Sequence, residues 1–179
     1  MNALFLDRDG TLNERLPGAY VRTWEEFRFL PGVLDALRIL SGRFERIVIV
    51  TNQQGIGKGV MTVEELEAVH TRMLREMEHA GGRIDGVYFC PDLATVAGNC
   101  RKPGPAMALR AKADFPEIDF SQSVMVGDSA EDIAFGHRLG MYTVLIEGKE
   151  EDAPRLERIQ EQISARFPSL SAWAESLTQ

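Results

Sequence analysis

The sequence predicts an α/β protein with a parallel, doubly wound sheet that is covered by helices on both faces. Two observations support this fold class. Apolar, strand-like runs alternate along the chain with helix-like segments, which is the pattern of β-α-β units. The runs are also continuously apolar, as expected for strands buried on both faces. Because 179 residues suffice for one well-buried core and are few for two, we expect a single domain over residues 1–179.

Five segments have the composition of buried strands. They are short and mostly apolar, and they lie at residues 3–6, 46–50, 86–90, 124–126 and 142–146. Consecutive parallel strands need a crossover connection, so a helix is expected between them.

Four helical segments fill the gaps between these strands. The first follows Pro31-Gly32, and the second begins at Thr62, where Glu65 three residues later completes a capping box. The third begins at Pro105, a residue suited to a first helical turn. The fourth runs from residue 129 to residue 139.

The chain after about residue 154 is predicted to form one or two amphipathic helices that pack against the rest of the domain. Its apolar residues recur at helical spacing: Leu156, Ile159, Ile163, Phe167, Trp173 and Leu177.

The composition argues against several classes of protein. A formal net charge of −7 disfavours non-specific nucleic-acid binding, which needs a basic face. No apolar run approaches the roughly 20 residues of a membrane-spanning helix, so no membrane partner is expected. The first residues lack the basic and apolar regions of a secretory signal, and the two cysteines do not form a disulfide framework. We therefore expect a cytoplasmic protein, and we expect it to act as a monomer.

The clearest chemical signal lies where the first predicted strand ends. Asp7 comes directly after the strand, Asp9 lies two residues further on, and Gly10 lets the backbone turn sharply. Two carboxylates so close cannot both stay ionised at low cost unless a cation lies between them or one takes up a proton. The pair indicates either a metal site or a nucleophile beside an acid/base.

Further polar residues are expected at the same edge of the sheet. Thr51 and Asn52 end the second strand, and a glycine-rich loop follows them. Asp128 ends the fourth strand, and Lys102 precedes the third helix. Ligand sites of open α/β sheets lie outside the carboxyl ends of the strands, so these side chains should converge. The hydroxyl of Thr51 suits phosphate oxygens, and the carboxylate of Asp128 suits a hard cation.

The order of these groups resembles that of the haloacid dehalogenase superfamily of phosphotransferases. The four family motifs are matched in order by Asp7-x-Asp9-Gly10-Thr11, Thr51-Asn52, Lys102-Pro103, and Gly127-Asp128 with Asp132. More narrowly, residues 5–13, 50–56, 88–91 and 100–103 look like the branch that holds heptose bisphosphate and histidinol-phosphate phosphatases. The resemblance runs from residue 3 to about residue 146 and implies a Rossmann-like core.

The resemblance implies catalytic roles for four residues. Asp7 would be the nucleophile that forms an aspartyl-phosphate. Asp9 would be the acid/base that protonates the leaving alkoxide and then activates water. Thr51 and Lys102 would neutralise the phosphoryl oxygens, where most stabilisation of the transition state arises.

The resemblance also implies a cofactor and a set of substrate contacts. Mg²⁺ would be held by Asp7, Asp128 and the backbone carbonyl of Asp9. Asp132 would not bind the metal itself but would help to orient these ligands. Arg101 would reach the far part of the substrate, where a second phosphate suits a guanidinium. The full set expected to contact substrate is Arg8, Asn13, Asn52, Gln53 and Arg101.

The expected activity is Mg²⁺-dependent hydrolysis of a small phosphorylated sugar. Removal of the 7-phosphate of D-glycero-D-manno-heptose 1,7-bisphosphate is the first hypothesis, and histidinol-phosphate hydrolysis, which shares the motifs, is the alternative. A non-catalytic module that binds a phosphorylated ligand is the alternative of another class. About forty residues separate Asp9 from Thr51, and most are needed for a helix and a strand, so no cap domain is expected.

The cysteines and histidines carry weaker expectations. Relatives in this branch commonly hold a structural zinc, but here Asp92 replaces a histidine ligand and Gly98 a cysteine, so zinc is not expected. Two reduced cysteines are expected, with a Cys90–Cys100 disulfide as an alternative. His70, like the other histidines, is interpreted as a solvated or packing residue.

Overall fold

A computed structural model, which describes residues 1–178, confirms the α/β fold class. The strands are β1 (Ala3–Leu6), β2 (Arg46–Asn52), β3 (Gly86–Cys90), β4 (Val124–Gly127), β5 (Tyr142–Ile146) and β6 (Ala165–Phe167). They form one sheet in the order β3-β2-β1-β4-β5-β6, and every neighbouring pair is parallel. The five predicted strands are thereby confirmed.

The helices of the described residues are α1 (Val33–Ser41), α2 (Val63–His79), α3 (Ala106–Asp114), α4 (Ala130–Arg138), α5 (Ala153–Arg158) and α6 (Leu170–Ser176). The predicted capping box at the start of α2 is present, because the Glu65 backbone N–H donates to Thr62 Oγ1 and the Glu65 carboxylate accepts from the Thr62 N–H. Within residues 1–178, no helix combines the length and the apolar character that crossing a membrane requires.

The sheet separates two hydrophobic layers. Side chains alternate along β1, so Leu4 and Leu6 pack with α1, α2 and α6, whereas Phe5 packs on the opposite face with α3 and α4. All four β1 residues are buried, which explains their continuous apolar character.

The prediction for the chain after residue 154 is wrong in part. Ile163 and Phe167 are not helical: Phe167 belongs to β6, which pairs with β5 in register Ile146↔Phe167. The backbone N–H and C=O groups of β6 form hydrogen bonds with β5. This pairing joins distant parts of the chain, so the local spacing of apolar residues could not predict it. The final helix α6 is present, and its Trp173 is buried against α1, contacting Phe44 at a ring-centroid separation of 6.1 Å.

The strand order brings the chemical motifs together. The chain leaves β1 for β2 on one side and later returns to β4 on the other side of β1, so the order reverses beside β1. Helices diverge from the sheet at such a point and leave a crevice at the carboxyl ends of the strands. Asp7 lies at this point, and its backbone N–H extends the ladder by donating to the Val126 carbonyl at 2.9 Å.

Candidate active site

The crevice is a cavity of about 200 Å³ at the carboxyl ends of β1, β2 and β4. Its lining includes the carboxylates of Asp7, Asp9, Asp128 and Asp132, the cations Arg101 and Lys102, and the polar residues Thr51 and Asn52. The convergence predicted from the strand ends is therefore present in the structure.

Lys102 ties the nucleophile candidate to the fourth motif. Its Nζ lies 2.6 Å from Asp7 Oδ1 and 2.6 Å from Asp132 Oδ1, and it donates to the Val50 carbonyl at 2.8 Å. The Lys102 side chain is fully buried, so its charge is stabilised by these two carboxylates, which raise its pKa although burial opposes that change.

Asn52 fixes the backbone that carries Lys102. The Asn52 Oδ1 accepts from the Lys102 N–H at 2.9 Å, and its Nδ2 donates to the Lys102 carbonyl at 3.3 Å. The two bonds join the end of β2 to the loop before α3. They position the lysine without using its ammonium group.

Two further carboxylates, Asp128 and Asp132, lie close to Asp7. Asp7, Asp128 and Asp132 each offer an oxygen, and these oxygens lie within 4.8 Å of one another. Burial raises the pKa of Asp7 to about 7, with Asp132 adding to the effect, and burial and the Asp7 charge raise the pKa of Asp128 to about 8. Carboxylate oxygens are the ligands that Mg²⁺ prefers, and a cation would relieve this repulsion, so the residues fit a divalent metal.

Arg15 is a residue of this site that the sequence did not indicate. Its Nε lies 3.1 Å from Asp128 Oδ2, and its Nη1 donates to Glu151 Oε1 at 2.6 Å. It thereby links the loop after β1 to the short 3₁₀ helix that precedes α5. The only signal in the sequence was its place in the segment shortly after Asp9.

Asp9 lies in the opposite electrostatic environment. Its Oδ1 accepts from Arg8 Nη2 at 2.9 Å and from Asn13 Nδ2 at 2.9 Å, and its Oδ2 accepts from Gln53 Nε2 at 2.8 Å. Burial alone would raise the pKa of Asp9, but the Arg8 charge and these hydrogen bonds outweigh it and hold the pKa below its ordinary value. The Asp9 side chain is 28% exposed, against 10% for Asp7, so it keeps access to the cavity.

Three of the residues expected to contact substrate are buried beside Asp9. Arg8, Asn13 and Gln53 are buried, and each donates a hydrogen bond to Asp9. Arg8 and Gln53 also line a second cavity, of about 300 Å³, beside Asp9 and Asn52, so their contact with substrate stays a prediction. Asn52 and Arg101 are partly exposed and line the cavity, as expected for groups that reach a ligand.

The expectation of two reduced cysteines is wrong. The cysteines are not reduced: Cys90 and Cys100 are joined as a disulfide, because the loop between them returns to the end of β3 and brings their Cα atoms to 5.5 Å. His70 is a buried histidine, which agrees with the packing interpretation, and its Nε2 also lies 3.0 Å from Arg8 Nη1. Neither the spacing of residues in the chain nor the local composition predicts these contacts, because they depend on how distant segments fold together.

Comparison with known proteins places the chain in one family. Residues 99–173 match the family model described as HAD-hydrolase-like. The chain is 35% identical over 178 residues to the D-glycero-beta-D-manno-heptose-1,7-bisphosphate 7-phosphatase of Pseudomonas putida, with 99% of each chain covered. It is 38% identical over 136 residues to the D-glycero-alpha-D-manno-heptose-1,7-bisphosphate 7-phosphatase of Mycobacterium tuberculosis, which covers 76% of this chain and 72% of that one.

A solved structure is similar over the whole chain. The D,D-heptose 1,7-bisphosphate phosphatase of B. bronchiseptica, crystallised with magnesium and phosphate, aligns with a TM-score of 0.86 at 28% identity, covering 100% of this chain and 99% of that one. An aspartate that faces a buried lysine at the switch point of a doubly wound sheet is suited to phosphoryl transfer, in which a cation stabilises the charge of the phosphoryl oxygens. The chain belongs to the HAD-like hydrolase family, in which it is a phosphatase.

Proposed function

We propose that this protein is a Mg²⁺-dependent phosphomonoesterase that acts through an aspartyl-phosphate on Asp7. The observation that carries the proposal is the opposite environment of two neighbouring carboxylates. Asp7 lies among like charges beside a buried lysine, whereas Asp9 lies among hydrogen-bond donors. One carboxylate is thus placed for a cation and a phosphoryl group, and the other is placed for proton transfer.

The residues that would hold the metal are Asp7, Asp128 and the backbone carbonyl of Asp9. The raised pKa values of Asp7 and Asp128 support this assignment, because both groups gain from a nearby cation. When bound, Mg²⁺ would neutralise charge on the phosphoryl oxygens. Asp132 holds Lys102 on one oxygen and accepts from Ser129 Oγ at 2.6 Å on the other, so we assign it to orienting the lysine.

The proposed reaction uses two displacements. An oxygen of Asp7 attacks phosphorus, the bond from phosphorus to the ester oxygen breaks, and Asp9 gives its proton to the leaving alkoxide. Water then attacks the phosphorus of the aspartyl-phosphate, Asp9 accepts a proton from that water, and Asp7 is released with inorganic phosphate. Thr51 and Lys102 would bind the phosphoryl oxygens in both steps.

We assign Arg8, Asn13 and Gln53 to holding Asp9, because their side chains are buried and bonded to its carboxylate. The lowered pKa of Asp9 suits the second step, in which it must be ionised to accept a proton. In the first step Asp9 must carry a proton, and the negative charge of a bound phosphate would favour that form.

The proposed substrate is D-glycero-D-manno-heptose 1,7-bisphosphate, cleaved at the 7-position. The names of the similar proteins support this choice. Arg101 supports it independently, since it is partly exposed at the rim of the cavity next to Lys102 and could pair with a second phosphate. A single capless domain that acts as a monomer in the cytoplasm is part of the same proposal.

The test is steady-state kcat/KM for the heptose bisphosphate and for histidinol phosphate with Mg²⁺. We expect the bisphosphate to be preferred by about 10²-fold or more, since its second phosphate adds a charge-assisted contact. A preference for histidinol phosphate would replace the substrate assignment and keep the phosphatase. If the protein hydrolyses neither of these compounds and no other phosphomonoester, the result would favour a non-catalytic binding module instead.

A matched pair of variants tests the role of Arg101. Arg101→Ala should raise KM for the bisphosphate by about tenfold or more and leave p-nitrophenyl phosphate nearly unaffected, because the aryl ester has no second phosphate. Arg110→Ala, an exposed arginine of α3, is the control and should change neither.

A further inference from the structure

The carboxylate of Asp9 is connected to helix α2 through a fully buried arginine. The Arg8 side chain extends from the residue after Asp7 toward α2, where its Nη1 lies 3.0 Å from His70 Nε2. Its Nη2 donates to Asp9 Oδ1 at 2.9 Å. The Arg8 Nε has no hydrogen-bond partner among residues 1–178, so His70 and Asp9 are the side-chain anchors of its guanidinium in the described structure.

The chemistry of the contact fixes the state of the histidine. A guanidinium has donors and no acceptor, so His70 must accept at Nε2 and carry its proton on Nδ1. Burial, with the Arg8 charge, lowers the pKa of His70 to about 3, in agreement with a neutral ring. A neutral acceptor orients Arg8 and, unlike a carboxylate, does not compete with Asp9 for the guanidinium charge.

We propose that His70 is a positioning residue for proton transfer: by holding Arg8, it fixes the orientation of the Asp9 carboxylate. The inference rests on the acid/base role proposed for Asp9. Asn13 and Gln53 also donate to Asp9, but they do so from the loop after β1 and the end of β2. His70 anchors the same carboxylate to a long helix on one face of the sheet, and without it Arg8 is held by Asp9 alone.

The test compares two substrates that differ in their need for a proton. An alkyl phosphate releases an alkoxide that must be protonated, whereas p-nitrophenyl phosphate releases a stable phenolate. The quantity is kcat/KM, which covers only the steps through formation of the aspartyl-phosphate. His70→Leu should lower kcat/KM for the alkyl phosphate by about 10–100-fold and for the aryl phosphate by less than about threefold.

Two further variants separate positioning from folding. His70→Gln keeps an acceptor near the position of Nε2 and should recover the alkyl phosphate activity to within about threefold of the wild type. His79→Leu makes the same change at an exposed histidine of α2 and should leave both activities unchanged. Equal losses on both substrates in His70→Leu, or no recovery in His70→Gln, would overturn the proposal.

A measurement on the wild-type protein covers the case in which His70→Leu does not fold. Long-range ¹H–¹⁵N correlation spectra distinguish the two neutral tautomers, and the His70 signals are assigned by their loss in His70→Gln. The proposal requires the Nδ1–H tautomer near neutral pH, and the Nε2–H tautomer would exclude Arg8 as its donor. If the wild-type protein hydrolyses neither ester, the phosphatase proposal and this inference are both overturned. If His70→Leu is active and has the wild-type ratio of kcat/KM for the alkyl and aryl phosphates, only this inference is overturned.

Discussion

Two carboxylates two residues apart, Asp7 and Asp9, have pKa values shifted in opposite directions by their surroundings. Asp7 is buried near Asp128 and Asp132, and its pKa is raised. Asp9 accepts hydrogen bonds from three buried donors, and its pKa is lowered. The chain separates them by a single residue, yet the strand geometry turns one toward β4 and the other toward β2 and α2. Proximity in sequence therefore says little about the charge state of either group.

The difference has a chemical consequence. A region with an excess of buried negative charge is suited to a cation and loses stability when its carboxylates ionise without one. A region with an excess of donors holds an ionised carboxylate in one orientation without a metal. In the proposed mechanism, the surroundings of Asp7 bind the phosphoryl group, and the surroundings of Asp9 serve proton transfer.

The largest expected effect is loss of the proposed nucleophile. Asp7→Asn should lower kcat by about 10⁴-fold or more, because the amide cannot form the aspartyl-phosphate. Phosphate release measured with saturating Mg²⁺ checks this. Asp35→Asn, on the exposed side of α1 where Asp35 pairs with Arg38 at 3.1 Å, should retain full activity. Substantial turnover by Asp7→Asn would refute the assignment of the two carboxylates.

Removal of the Lys102 ammonium group beside Asp7 should lower stability as well as activity. Lys102→Met leaves Asp7 and Asp132 without their buried partner and should lower the free energy of unfolding by about 3–5 kcal/mol without metal. Urea unfolding should show that the substitution lowers the free energy of unfolding less at about pH 5.5 than at about pH 8. At the lower pH Asp7 is protonated and does not need a cationic partner. Lys112→Met, an exposed lysine of α3, serves as the control. A loss equal at both pH values would argue against charge as its cause.

A substitution at Gly10 should damage the metal side specifically. Gly10 has φ +93°, and a β-carbon there would overlap Asp128 Oδ2. Gly10→Ala should therefore weaken Mg²⁺ binding by about 10–100-fold in isothermal titration calorimetry. Gly18→Ala is a matched control, since Gly18 also has a positive φ, of +69°, but has open space at its β-carbon position. Similar Mg²⁺ affinities in the two variants would show that displacement of Asp128 is not the cause.

The smallest predicted effect concerns pH. Asp7 and Asp128 have raised pKa values in the fold, so their contribution to stability is present at low pH and is lost as pH rises through about 7 and 8. Mg²⁺ binds the ionised forms and should offset this loss. Thermal unfolding should show a Mg²⁺-induced rise in Tm that is about 3–6 °C larger at pH 8 than at pH 6.

The control for this prediction is Asp128→Asn, in which most of the Mg²⁺-induced shift should disappear because one of the proposed ligands is lost. A shift in the wild type that is larger at pH 6 than at pH 8 would contradict the raised pKa values on which the comparison rests.

Much of the sheet could be predicted from local pattern. The run Ile47–Val50 is β-branched and continuous because β2 is buried on both faces, and the same is true of β1. Strand ends in a parallel sheet share one edge, so the approach of Asp7, Thr51, Lys102 and Asp128 followed from their positions in the chain. The capping box of α2 was visible because its two residues are three positions apart.

The contacts that sequence could not supply are long-range and depend on side-chain direction. β6 has only three residues and forms by pairing with β5, so its apolar spacing gave a misleading helical signal. Arg8 was expected to contact substrate from the family resemblance, and the sequence did not reveal that its side chain also reaches His70, 62 residues further along the chain. The Cys90–Cys100 bond likewise depends on how the loop after β3 returns.

By itself the sequence determined the parallel α/β core, the edge at which the site lies and the residue types of a phosphate-handling centre, because these follow from local periodicity and from the geometry common to all parallel sheets. Only the tertiary structure decided that Asp7 and Asp9 differ in environment, that Arg8 and His70 form a buried connection to Asp9, and that Arg15 lies at Asp128. The physical reason is that electrostatic environment depends on distances of a few ångströms between groups far apart in the chain, and packing alone sets those distances.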